Sequence, residues 1–189
     1  MSADANNILF LGVSNPLSIA IENIPAKDVV VKVVNGSITG ENGKYLFRGE
    51  SEGRAEIILF KKQKEKIVEI ARSAFRVKRI PDPVPKIGPS GGGIIEKVVL
   101  AAQQYLRADY DYWGFDAKAK VDSFTVSIIR GDSCLYREFK NVSAKISPEI
   151  SGAFQNLHDG DTVIFKNIYA QGPDGKSVML IPFMLFIKE

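Results

Sequence analysis

The sequence predicts a mainly β protein with two tandem domains. Two observations support this fold class: short strand-like segments follow one another between turn residues, and a proline- and glycine-rich stretch divides the 189-residue chain near its middle. We expect an immunoglobulin-like β-sandwich over residues 1–80, a linker over residues 81–93, and a β-sandwich-like domain carrying one α-helix over residues 94–189.

The first domain consists of short apolar segments separated by turn residues. Asn35-Gly36 is typical of a tight turn between antiparallel strands, because both residue types tolerate positive φ. No window of this domain has a convincing helical period. Strands are predicted at residues 8–13, 17–21, 29–34, 44–47, 54–60 and 66–77. Short strands at this spacing are typical of a small sandwich.

The stretch between the domains combines two opposite backbone properties. Prolines at every second residue restrict φ and favour a stiff, extended spacer, whereas the glycines after them permit bending. The predicted linker and hinge residues are Pro81, Pro83, Pro85, Gly88, Gly91, Gly92 and Gly93. The alternative is one long loop on a single domain, which is uncommon at this length.

One segment of the second domain has helical periodicity. Ile95, Val99 and Ala102 recur on one side of a helix, which predicts a helix over residues 94–108. Strands are expected at residues 115–129, 134–140, 162–169 and 178–187, with a short helical or irregular segment between residues 148 and 157. The last strand is apolar on both faces, which indicates a central strand or one that lies under a partner subunit.

Composition and charge limit the classes of protein. The chain is 45% hydrophobic and 25% charged with a formal net charge of +3, which is ordinary for a globular protein. A dedicated nucleic-acid binder would concentrate more positive charge, so we expect no nucleic-acid partner. A single cysteine allows no internal disulfide. The chain has neither an apolar run of the ~20 residues that a membrane helix needs nor a secretory signal at its start.

Two patterns resemble ligand-binding loops, but each lacks side chains that the ligand requires. The glycine-rich stretch is not followed by the lysine and hydroxyl residue that a phosphate-binding loop needs. Residues 109–114 resemble the start of a calcium loop, and a looser cation site would use Asp109, Asp111 and Asp116. However, Trp113 and Lys120 stand where oxygen ligands are required. We therefore expect no cofactor, no metal and no small-molecule substrate.

Catalysis has one weak candidate pair. Cys134 and His158 are the only residues of their types, and a thiol–imidazole pair requires them within hydrogen-bond reach. Cys134 lies in a predicted strand, where a lone cysteine is usually a small buried apolar residue. His158 precedes a turn. We expect a non-enzymatic protein, and a hydrolase using this pair is the least favoured alternative.

An aromatic cluster follows the predicted helix. Tyrosine and tryptophan are enriched at the centres of protein interfaces, so we expect partner binding at Tyr110, Tyr112 and Trp113. The alternative for the cluster is core packing between the helix and the sheet. A different function, a cell-surface adhesion or glycan-binding module, would use Tyr112 and Trp113 as a sugar-stacking platform.

Four stretches in order resemble one family. ILFLGVSNPLSI, FRVKRIPDPVPKIG followed by a glycine run, FDAKAKVDSFTV and FKNIYAQGPDGK together resemble the C-terminal periplasmic half of the GldM/PorM family, the core protein of gliding motility and type IX secretion in Bacteroidetes-type bacteria. The resemblance spans nearly the whole chain, although no single motif is decisive.

The resemblance implies a function outside catalysis. Family members are anchored in the inner membrane by an N-terminal helix that pairs with a membrane partner, and helical periplasmic domains precede two β-rich domains. The resemblance implies a homodimer that carries energy to a ring of lipoprotein and partner protein under the outer membrane. This sequence lacks the membrane helix, so it is expected to be a periplasmic segment that reaches the inner-membrane partner only through the missing part.

Overall fold

The computed structural model describes residues 7–63, 66–111, 117–131 and 136–189. Contacts divide the chain into two compact units, Met1–Ile80 and Pro81–Glu189. Both units consist mainly of β-strands, so the predicted mainly β class is confirmed.

The first unit is a sandwich of two sheets. A four-stranded sheet has the order β1-β7-β6-β3, and a three-stranded sheet has the order β2-β5-β4. β1 lies parallel to β7, and the other neighbouring strands are antiparallel. The strands are β1 (Ile8–Phe10), β2 (Asn15–Ser18), β3 (Val29–Val34), β4 (Gly36–Glu41), β5 (Lys44–Gly49), β6 (Gly53–Gln63) and β7 (Lys66–Lys78).

The core of the first unit lies between these sheets. Phe47 of β5 and Leu59 of β6 are fully buried, because alternate residues of each strand point inward. The chain turns after β3, but β3 and β4 belong to different sheets, so Asn35-Gly36 does not form a hairpin. Asn35 has a φ of 61°, and its side-chain amide donates to the carbonyl oxygens of Ser51 and Arg54 at 2.9 and 3.1 Å. Local turn chemistry thus sets the start of β4.

The second unit contains a large sheet and a smaller layer. The large sheet is six-stranded in the order β12-β11-β13-β15-β9, with β14 paired to β13, and a separate pair joins β10 and β8. The strands are β8 (Val84–Ile87), β9 (Gly93–Glu96), β10 (Leu106–Asp109), β11 (Lys120–Ile129), β12 (Tyr136–Asn141), β13 (Thr162–Gln171), β14 (Ser177–Leu180) and β15 (Phe183–Lys188). The helices are α1 (Lys97–Ala101) and α2 (Pro148–Gln155).

One face of the six-stranded sheet forms the core of this unit. Phe165 of β13 stacks on Phe183 of β15 with ring centroids 4.8 Å apart, and Phe154 of α2 lies 6.2 Å from the Phe165 ring. Leu100 of α1 and Leu106 of β10 belong to the same buried cluster. The two helices and the β8–β10 pair therefore cover this inner face.

The predicted helix over residues 94–108 is wrong in most of its length. Only Lys97–Ala101 is helical, whereas Gly93–Glu96 and Leu106–Asp109 are strands. β9 contains Ile94 and Ile95, which are β-branched, and its parallel pairing with β15 buries Ile95. The short segment expected after residue 148 is the helix α2, so the described part of the unit has two helices. Ser147 caps α2 by accepting the Ile150 N–H at 3.3 Å.

The predicted linker over residues 81–93 is also corrected. Val84–Ile87 forms β8 and pairs with β10, and Gly93 begins β9. Pro83 and Pro85 are buried. Proline is tolerated here because, within the part of the chain that the structure describes, β8 pairs with a strand on one side, β10, so that a missing N–H need not break a ladder on both sides. This stretch is therefore part of the second unit.

The positive φ angles of three predicted hinge glycines explain why glycine stands at these positions. Gly88, Gly92 and Gly93 have φ values of 54°, 146° and 90°, so they build the turn from β8 to β9. The Ser90 hydroxyl donates to the Gly92 carbonyl oxygen at 2.8 Å within that turn. Glycine at these positions serves backbone conformations that other residues rarely adopt.

The apolar segment 178–187 is divided into two strands. β14 ends at Leu180 and β15 begins at Phe183, with Pro182 between them. The break follows from proline, which cannot donate to a ladder. β15 lies between β13 and β9, as expected for a central strand.

Candidate partner-binding site

The predicted partner-binding residues lie at the end of β10. Tyr110 directly follows this strand and is half-buried, whereas Tyr112 and Trp113 lie outside the described residues. A Cβ added at Gly172 would lie 2.9 Å from the Tyr110 hydroxyl oxygen. The Tyr110 ring is therefore held against the turn that follows β13.

A groove of about 690 Å³ lies beside Tyr110. β10 lines one part of it and residues 117–121 another. Its apolar lining includes Leu106, Ala108 and Val121, all buried. An apolar floor within a charged rim is typical of protein interfaces.

The charged rim of this groove is partly fixed by ion pairs. Arg107 lies 3.5 Å from Asp109 and donates to the Gly88 carbonyl oxygen at 2.9 Å. Outside the lining of the groove, Lys86 of β8 binds Asp111 at 2.7 Å. The first two acidic residues of the calcium-like pattern thus pair with basic side chains, and Asp116 lies outside the described residues.

The second candidate surface is the outer face of the six-stranded sheet, opposite the core. We define the outer face by Ile94, Tyr136, Ile164, Met184 and Phe186. Strand register places Ile94 beside Phe186 and Ile164 beside Met184. Exposed fractions are 75% for Ile94, 47% for Met184 and 46% for Phe186. Contiguous apolar residues of this kind mark interaction sites.

A polar cluster lies at one side of the outer face. Lys166 contacts Glu138 at 2.7 Å, and the Tyr136 hydroxyl donates to the same carboxylate. The hydrogen bond from Lys166, followed by that from Tyr136, lowers the pKa of Glu138 to about 2. The hydrogen bond to Glu138 raises the pKa of Lys166. The carboxylate therefore remains ionised over the physiological range.

The candidate catalytic pair is not brought together within the described residues. His158 Nδ1 lies 2.9 Å from Arg130 Nη1, and Cys134 lies outside the described ranges. In the described part of the chain, no group of three or more His, Cys, Asp or Glu residues is arranged to hold a metal ion.

Sequence reasoning missed the outer face as a surface. Its only signal is that residues 178–187 are apolar at successive positions, including Met184 and Phe186. Ile94 was assigned to a helix, which separated it from β15. The pairing of β9 with β15 joins residues far apart in the chain, and no local pattern indicates it.

No helix in residues 7–63, 66–111, 117–131 and 136–189 has the length and apolar composition needed to cross a membrane. No curated protein sequence matches the chain.

Similar solved structures are β-rich. The N-terminal four Ig domains of Dscam1 isoform 8.4 share 9% identity at a TM-score of 0.28, over 99% of this chain and 50% of that one. Domains 4 and 5 of the S-layer protein SbsC share 13% identity at a TM-score of 0.24, over 90% of this chain and 75% of that one. SGBP-B of the Bacteroides ovatus mixed-linkage glucan utilization locus shares 12% identity at a TM-score of 0.25, over 100% of this chain and 44% of that one. These TM-scores are too low to support an inference, and the chain spans half the length of the first structure.

Family models match both units. The GldM third domain matches residues 1–78, and the GldM C-terminal domain matches residues 81–188. The second match alone covers more than half of the chain, and the two follow one another in the order that the resemblance predicts. The chain belongs to the GldM family and comprises its third and C-terminal domains.

Proposed function

We propose that this component of the gliding-motility and type IX secretion machinery is a non-enzymatic, dimeric periplasmic segment that transmits force from the inner-membrane motor to a ring under the outer membrane. The observation that carries the proposal is the consecutive match to the two GldM domains over nearly the whole chain. The inner-membrane partner would be reached through parts of the protein outside this sequence.

The outer face supports the proposal of a homodimer. A second copy placed over Ile94, Met184 and Phe186 would remove their exposed apolar surface from water, which stabilises association by ~25 cal/mol per Å² before the costs of binding. A two-fold symmetric interface uses the same patch on both copies. The apolar centre and the polar cluster at its side match the ordinary arrangement of core and rim.

Light scattering tests this interface. The wild-type chain should elute with about twice the monomer mass of 20.8 kDa, and Phe186→Glu should elute as a monomer because a charge would be buried against the partner. Val142→Glu is the matched control, because Val142 is 88% exposed and lies outside the outer face. A wild-type monomer, or a Phe186→Glu dimer, would contradict the proposed interface.

The groove beside Tyr110 is proposed to bind the ring proteins. A pull-down with the ring lipoprotein and its partner should lose most of its signal when Tyr110, Tyr112 and Trp113 are all changed to alanine, because aromatic anchors dominate binding energy. Tyr169→Ala is the control, since Tyr169 is an exposed aromatic residue of β13. Undiminished capture by the triple variant would contradict this binding site. It would not affect the proposed dimer, which the scattering experiment tests separately.

A further inference from the structure

The strand β12 is an open edge of the six-stranded sheet. Among the described residues it pairs with β11 on one side only. Every second residue of an antiparallel edge strand directs its N–H and C=O away from its neighbour. Those groups can pair with an additional extended chain.

A pocket of about 500 Å³ lies between this edge and α2. Phe139 of β12, Ile128 of β11 and Ala153 of α2 give it an apolar lining. Arg137 and Phe139 are two positions apart, so both side chains lie on the helix side of the strand. A peptide paired with β12 would direct alternate side chains toward this pocket.

Two cations line the pocket. One is held in place, and the other has no ion-pair partner among the described residues. Arg130 donates to the Asn156 carbonyl oxygen at 2.9 Å, contacts His158 at 2.9 Å, and lies 3.8 Å from the buried Asp161. Arg137 is exposed and forms no ion pair with any described residue. Glu149, in the first turn of α2, is the acidic residue of the lining.

The free charge of the edge is positive. Glu138 is already neutralised by Lys166 on the outer face, whereas Arg137 and Lys140 have no acidic partner among the described residues. A second copy would bring the same cations to this edge, and like charges across paired strands are destabilising. Charge complementarity therefore favours an acidic strand from another protein.

We propose that β12 and the adjoining pocket bind an extended acidic segment of a partner protein, which pairs as a strand with Tyr136–Asn141 and places a carboxylate against Arg137. Arginine suits this role because its planar guanidinium can bind both oxygens of a carboxylate. The site is separate from the groove beside Tyr110. It shares Tyr136 with the outer face, but it uses the backbone edge of β12 and the pocket on the helix side of the sheet.

An NMR titration of the full chain tests the site. The probe is a capped peptide of about eight alternating Glu and Val residues, long enough to cover a six-residue strand. Its addition should shift the backbone amide signals of Tyr136–Asn141 and those of α2. The matched probe, with Lys in place of Glu, should bind at least about tenfold more weakly, because its charged residues meet Arg137 with like charge.

Charge reversal provides the decisive control. Arg137→Glu should weaken binding of the acidic peptide and strengthen binding of the basic one. Lys140→Glu changes a residue on the opposite face of β12, where the bound peptide presents Val, and should have a smaller effect. Lys188→Glu makes the same change on β15 of the same sheet and should have no effect. Equal binding of both peptides, indifference to Arg137→Glu, or no amide shifts with the acidic probe would overturn the proposal. In the last case, the two cations would only protect the edge from indiscriminate pairing.

Discussion

The two faces of the six-stranded sheet differ in what covers them, although the same strands supply both. In β15, Phe183, Leu185 and Ile187 point into the core and are buried, whereas Met184 and Phe186 between them are nearly half exposed. Both sets are apolar. The inner set is explained by folding, because the helices and the β8–β10 pair remove it from water. The outer set needs another explanation, and a covering partner is the one that we propose.

The largest effect is expected from the centre of the inner face. Phe165 is fully buried and contacts the rings of Phe124, Phe154 and Phe183. Phe165→Ala should lower the free energy of unfolding by ~3–5 kcal/mol, because it removes buried contacts and leaves a cavity. Urea unfolding followed by circular dichroism measures the loss. A loss below ~1 kcal/mol would mean that the inner face is not the core.

A smaller and pH-dependent effect is expected from the polar cluster on the outer face. The pKa of Glu138 is lowered from 4.5 to about 2 in the folded chain. Its contribution to stability should therefore be present above pH 4.5 and be lost as the pH falls toward 2. Glu138→Gln should remove this part of the acid dependence, whereas Glu96→Gln, a change at an exposed carboxylate of β9, should retain it. Carboxylate NMR titration measures the pKa, and a value near 4.5 would contradict the ion pair.

The smallest effect is expected on the outer face of β9, where two neighbours form a matched pair. Ile94 is 75% exposed and Ile95 is buried. Ile94→Ala should change the unfolding free energy of the monomer by no more than ~0.5 kcal/mol. Ile95→Ala should cost ~2–5 kcal/mol. Both variants are compared by urea unfolding at concentrations that keep the chain monomeric. Similar losses would mean that the two faces are equally involved in folding.

Local chemistry made part of this fold predictable. Asn35 indicated a change of chain direction because Asn accepts positive φ, and short apolar segments between turn residues located most strands of the first unit. The errors arose where distant pairing overrides local pattern. Residues 84–87 and 93–96 became strands because β10 and β15 lie beside them, and neither partner is adjacent in sequence.

The candidate surfaces were predictable only in part. Tyr110 lines a groove, but the reason it does so is the approach of residues 117–121, which no spacing in the sequence indicates. Arg137 was indistinguishable from any other charged strand residue until β12 was found at a sheet edge beside α2. Charge and residue type are local properties, whereas edges and pockets depend on how the whole chain is arranged.

Each unit joins the beginning of a sheet to its end in parallel. β1 pairs with β7, and β9 pairs with β15, which ends at Lys188. When tension draws two parallel neighbours apart by their outer ends, the strands slide along each other, and the hydrogen bonds between them resist shear together. An antiparallel hairpin pulled at its open end would instead lose its hydrogen bonds one at a time. The first unit therefore has a shear-resistant strand pair at the two ends of its chain. In the second unit the corresponding pair lies inside β8, which pairs antiparallel with β10.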